Sequence, residues 1–71
     1  MKELTVKQKA VFNAIKEFID KNSFPPTCNE LKNMLGYSSA NSITGHLNFI
    51  ENKGYIKRTP AIARSIVVLQ A

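Results

Sequence analysis

Tryptophan is absent from this chain, histidine and cysteine occur once each, and no acidic residue follows Glu51. A single cysteine, Cys28, rules out an internal disulfide and agrees with a reducing compartment. One His and one Cys cannot supply the three or four ligands of a metal site. A nucleophile-base pair of Cys28 and His46 is conceivable, but His46 lies on the inward stripe of its helix, where a packed imidazole is expected. Long apolar runs are also missing. The longest, Ile66 to Leu69, is far too short to span a bilayer or to form a signal-peptide core, and the N-terminus alternates lysines with apolar residues. The expected location is the cytoplasm, and enzyme and membrane-spanning readings lose their basis. The length of 71 residues is near the lower limit for independent folding, so nearly every large apolar side chain must serve one core. Such a core leaves no pocket to spare for a small ligand, and no cofactor is expected.

What the chain has in excess is positive charge. The net charge of +5 and pI near 9.7 favour a polyanionic partner, either nucleic acid or an acidic membrane surface. Charge alone does not choose between them. The choice comes from Pro25 to Gly54, which reads as two capped helices joined by a tight turn. Thr27 and Glu30 form a capping box, and Pro25 and Pro26 hold the chain extended before it. Leu31, Met34 and Leu35 follow at helical spacing, and Gly36 stands where a left-handed C-cap belongs. That predicts a short helix over 28–35. Tyr37 and Ser38 make the turn, Ser39 or Asn41 can cap the next helix, and a pattern over 41–53 runs to a second terminal glycine, Gly54.

In this later helix Ile43, His46, Leu47 and Ile50 fall at i, i+3, i+4 and i+7 and turn inward. Opposite them lie Asn41, Gly45, Asn48 and Asn52, flanked by Ser42 and Thr44, with no carboxylate and no long cation. Solvated helix faces usually carry Lys and Glu; Asn, Ser, Thr and Gly propagate helix less well, by roughly 0.5 to 1 kcal/mol each against Ala. Amides and hydroxyls instead suit base edges, since Asn pairs bidentately with adenine and a Thr methyl can touch a thymine methyl. The layout is that of a DNA-reading helix-turn-helix.

Upstream, Thr5 and Gln8 make another capping box, opening a helix over 6–22 whose Val11, Phe12, Ile15, Phe18 and Ile19 form a core stripe. Its lysines read mainly as a solubilising set, except Lys7, which near the helix start would strengthen a phosphate site together with the helix N-terminus. Downstream, 55–59 and 65–70 read as two short strands joined at Pro60 to Arg64, a hairpin that must pack on the helices to be stable. It concentrates Lys53, Lys57, Arg58 and Arg64, a candidate phosphate clamp. The expected architecture is mostly α with a small β-hairpin: one α+β domain over 1–71, a three-helix winged helix-turn-helix. Phe49 falls off the inward stripe and is expected to pack against the wing, with support of a partner contact as the second reading.

The chain resembles the N-terminal DNA-binding domain of the LexA repressor family. The likeness is carried in order by the KxLTxxQ opening, PPT before the second helix, ELxxxLGY into the turn, Ser39 and Asn41 at the start of the third helix, HL followed by KG, and the basic wing ending in LQ. It implies a sequence-specific repressor that binds an inverted-repeat operator in double-stranded DNA as a dimer and controls DNA-damage (SOS) genes. By motif match Ser39, Asn41 and Ser42 fall where such repressors contact bases, and Thr44 and Gly45 fall where they typically carry acidic specificity residues. With Asn48 these are the candidate base readers; Lys7, Thr27, Lys53, Lys57, Arg58 and Arg64 are the candidate phosphate contacts.

The departures at Thr44 and Gly45 imply a half-site different from the usual one, because glutamates accept from cytosine amino groups while Thr44 can act either way and Gly45 has no side chain. The resembled repressors also carry a self-cleaving domain that makes the dimer, and nothing of it lies within these residues. An excised fragment is the first expectation and a stand-alone reader from a phage or mobile element the second; in either case the free domain is expected to be largely monomeric, with a homodimer formed on DNA. The rival reading is a winged-helix protein-protein interaction module. An acidic protein partner would select Lys and Arg on the third helix, whereas here the cations sit in the wing.

Overall fold

A computed structural model describes residues 3–59 and 62–69. Pro60 and Ala61 of the wing link, Gln70 and both chain ends lie outside them. The described part is three helices and a two-stranded antiparallel hairpin, a winged helix-turn-helix.

Helix α1 spans Val6–Asn22. Its start is fixed locally: the Gln8 amide donates to Thr5 Oγ1 (3.2 Å) and the Thr5 amide donates to Gln8 Oε1 (3.1 Å), satisfying two amides that the helix leaves without partners. Helix α2, Cys28–Leu35, opens on the same device, with Thr27 and Glu30 exchanging bonds of 2.9 and 3.1 Å. It closes at Gly36, whose φ of +74° is open to glycine at little cost. Helix α3 is Ala40–Asn52. It begins one residue before the expected 41 because Ser39, rather than Asn41, is the cap, its Oγ accepting from the Asn41 amide at 3.1 Å.

The core lies where the three helices meet. Val11, Phe12, Ala14 and Ile15 of α1 pack with Leu31 of α2 and with Ile43, Leu47 and Ile50 of α3, and the wing contributes Ile56 and Ile66. Two expected core residues stand elsewhere. Phe18 is half-buried and meets Phe24 edge-on at 5.7 Å. Met34 is exposed, because the inward arc of α2 centres on Leu31 and takes in Cys28 and Leu35 instead.

The wing ladder is shorter than its sequence pattern suggests. Strand β1 is Ile56–Lys57 and β2 is Val67–Val68, paired Ile56 with Val68 and Lys57 with Val67. The strands stop early because the Ser65 hydroxyl takes over the next position: Thr59 donates its amide to Ser65 Oγ, and that hydroxyl donates to the Thr59 carbonyl, both at 3.0 Å. The hairpin is held to the helices by Ile56, Ile66 and Tyr55, whose ring meets Phe12 edge-on at 5.3 Å. Leu69, just past β2, is exposed.

One long-range contact sets α3 against α1. The Lys53 ammonium, just past the end of α3, donates to Gln8 Oε1 at 2.7 Å and to the Glu3 carbonyl at 2.9 Å. Gln8 is the one buried polar side chain among the described residues, and these bonds satisfy it.

Candidate nucleic-acid interface

Because Ile43, Leu47 and Ile50 are fully buried, the opposite side of α3 must face out. Asn41, Ser42, Thr44 and Asn48 are exposed there. At 13 residues the helix is about 20 Å long and about 10–12 Å across with side chains, a fit to a major groove about 12 Å wide. The candidate readers are not equally free. Ser39 is occupied as the cap. Thr44 Oγ1 donates to the Ala40 carbonyl at 3.1 Å, so its hydroxyl presents lone pairs outward and acts as an acceptor. At Gly45 an added Cβ would meet nothing within 4 Å, so the protein's own packing does not demand a glycine; its absence of side chain simply opens the backbone to a close partner.

The candidate phosphate contacts divide in the same way. Lys7 and Lys57 are exposed. Lys53 is engaged with Gln8 and Glu3. Arg58 donates from Nε to Glu51 Oε1 at 3.2 Å and from Nη2 to Asn48 Oδ1. Arg64 makes a two-pronged pair with Glu30 at 2.8 and 2.9 Å, donates to the Pro25 carbonyl at 3.0 Å, and covers the Phe24 ring at 4.7 Å. Thr27 caps α2, while the amides of Cys28 and Asn29 in its first turn have no helical acceptor. The wing arginines therefore strap the hairpin to both helices of the turn.

Sequence gives Glu30 as half of a capping box; its pairing with Arg64, and that of Glu51 with Arg58, are what reading the sequence misses. A carboxylate placed amid basic residues does not say which cation it meets. Arg64 holds the Glu30 carboxyl below its ordinary value of 4.5, helped by the Thr27 amide. A lowered folded-state pKa means that this stabilisation is complete above about pH 4.5 and is lost as the pH falls through the folded value. Thermal unfolding of the protein and of Glu30→Gln should therefore differ most near neutrality, and the gap should close on acidification. A gap that is unchanged at pH 3 would remove Glu30 as the anchor.

Between the start of α2, the Thr44 and Asn48 side of α3, and the wing lies an open groove of about 760 Å³. A core of this size was expected to leave no pocket; the groove arises outside the core, where the wing stands off the helices. Phe49 does not help to fill it. It is 57% exposed and turned about 160° around α3 from Glu51, so it does not pack against the wing as expected. His46 is half-buried and lies over Tyr37, the ring centroids 5.8 Å apart.

Residues 1–65 match the family described as LexA DNA binding domain. The LexA repressors of Staphylococcus aureus strains Mu3, N315 and USA300 are each 36% identical to the chain over 69 residues, covering 97% of it and 33% of the relative. The chain belongs to the LexA DNA-binding domain family. It spans about one third of the length of the curated relatives it matches. The LexA family agrees with the architecture found here, three helices followed by an antiparallel hairpin. No described helix is long and apolar enough to cross a membrane, and the described residues form no cluster of metal-binding side chains.

Proposed function

We propose that this chain is the operator-reading part of a LexA-like transcriptional repressor, acting in the cytoplasm on double-stranded DNA. The observation that carries the reading is the outer face of α3: exposed amides and hydroxyls at Asn41, Ser42, Thr44 and Asn48, with the one carboxylate of the helix, Glu51, turned aside to Arg58. A face of this kind placed in the major groove contacts base edges with little electrostatic penalty. Lys7, Lys57 and the open amides at the start of α2 contact phosphates on either side, and Thr27 can add its hydroxyl proton. Arg58 and Arg64 present charge to the backbone from their anchored positions, and Lys53 acts chiefly by setting the angle of α3. Two copies on an inverted repeat, and a place in the response to DNA damage, follow from the same reading. The domain itself carries no catalytic role in it.

Selection of bound sites from a randomised duplex library, at low and near-physiological salt, tests the proposal. An enriched inverted repeat is expected, with a half-site that differs from the common LexA one at the bases facing Thr44 and Gly45. Binding without enrichment that disappears as salt rises would leave only a basic surface and put a protein partner forward instead.

A further inference from the structure

A free asparagine side chain can offer its carbonyl and its amide together, which is how it pairs with the N6 and N7 of adenine. Asn48 is not free in this sense. Its Oδ1 accepts from Nη2 of Arg58, and a guanidinium carries only donors, so the side-chain amide can face Arg58 in one orientation alone. The Nδ2 group then points away from the wing. Arg58 is fixed in its turn. Glu51 accepts from its guanidinium at 3.2 Å through Oε1 and from its backbone amide at 3.0 Å through Oε2. The two side chains are only 19% and 33% exposed, which limits screening of the pair by water. Since Asn48 and Glu51 are three residues apart on one side of α3, the one guanidinium can bridge the amide and the carboxylate along the edge of the groove.

We infer that Glu51 and Arg58 position Asn48 as a donor-only reader that selects guanine, not adenine, at one base pair of each half-site. Guanine presents two acceptors, N7 and O6, to the major groove and no donor, which matches the two outward Nδ2 protons. Adenine would need the carbonyl that Arg58 already holds, and accepting its N6 proton there would mean giving up or sharing that bond. Glu51 and Arg58 touch no base in this scheme; they are positioning residues. The inference rests on the proposal that α3 reads DNA.

The test is the base preference of the protein, position by position, on duplexes built from its selected site. The protein should favour guanine over adenine at one position by roughly tenfold, the worth of a good base contact. Asn48→Ala should flatten that position and leave the others. Arg58→Met, which keeps the stem and removes the donors, should move the same position from guanine towards adenine, because the released amide can turn over; Arg58→Gln, whose amide can donate or accept and so imposes no single orientation on Asn48, serves if the first variant does not fold. A loss of phosphate contact alone would weaken all sequences alike. Base preferences that are unchanged in Asn48→Ala, or a guanine preference that survives Arg58 replacement undiminished, would overturn the inference while leaving DNA reading intact. No preference at any position in the unmodified protein would overturn both.

Discussion

Replacing Leu47 with Ala should leave the domain largely unfolded at physiological temperature. Leu47 is fully buried on the inner face of α3, among Val11, Ile15, Leu31 and the other core residues. Truncation of such a leucine costs about 2–5 kcal/mol, the removed methyl groups plus the cavity left behind. A domain of this length holds only about 3–5 kcal/mol from its core. The two figures are of the same size, so one substitution can consume the whole margin. In a thermal melt the midpoint should drop by roughly 10 °C or more. Phe49, two residues further along the same helix, is the internal comparison: Phe49→Ala removes a larger side chain from an exposed position and should leave the midpoint nearly unchanged. Similar midpoints for both variants would mean that the inner face of α3 has been misassigned.

Asn41→Ala should weaken binding to the selected operator by about 1–3 kcal/mol, or roughly 5- to 150-fold. The side chain stands exposed in the first turn of α3, and the cap bond from Ser39 uses the backbone amide of Asn41, not its side chain. Alanine also propagates helix better than asparagine, so a loss of affinity could not be blamed on a weakened helix. The loss should be confined to the specific site and absent from random duplex. Lys57→Ala provides the contrast. Its ammonium projects from β1 into solvent, so its removal should weaken binding to every sequence alike and lower the slope of log affinity against log salt by about 0.9. Titrations at three salt concentrations on specific and random duplex separate the two. Equal losses on both duplexes for Asn41→Ala would take that residue off the list of base readers.

The helical frame can be read from the sequence because its signals are local. Thr5 with Gln8, Thr27 with Glu30, and Gly36 each act within one turn, so spacing alone shows what they do. The strand ends could not be read in this way, because the Ser65 hydroxyl competes with the ladder and the hydropathy pattern does not record that competition. Met34 looks inward-facing in sequence, yet it falls just outside the arc that α2 turns inward, and Phe49, off the inward arc already in sequence, finds no place against the wing. The gap is widest at the wing. A count of cations predicts a phosphate clamp, but Lys53 reaches back to Gln8, and Arg64 reaches Glu30 and Pro25, across separations that no local pattern encodes. For the candidate readers, periodicity gives the order of Asn41, Thr44 and Asn48 along the face, whereas it does not show that the Thr44 proton and the Asn48 carbonyl already have partners.

The two arginine anchors also bear on how such a domain can change over generations. Among the described residues Asn41, Thr44 and Gly45 make no hydrogen bond to a distant side chain, so each is open to replacement singly as a binding site drifts. Glu30 with Arg64, and Glu51 with Arg58, are different: losing one member of either pair leaves the other charge uncompensated beside the helices. Those positions should vary as linked pairs across a lineage, and the wing should be inherited together with the two helix edges that it fastens.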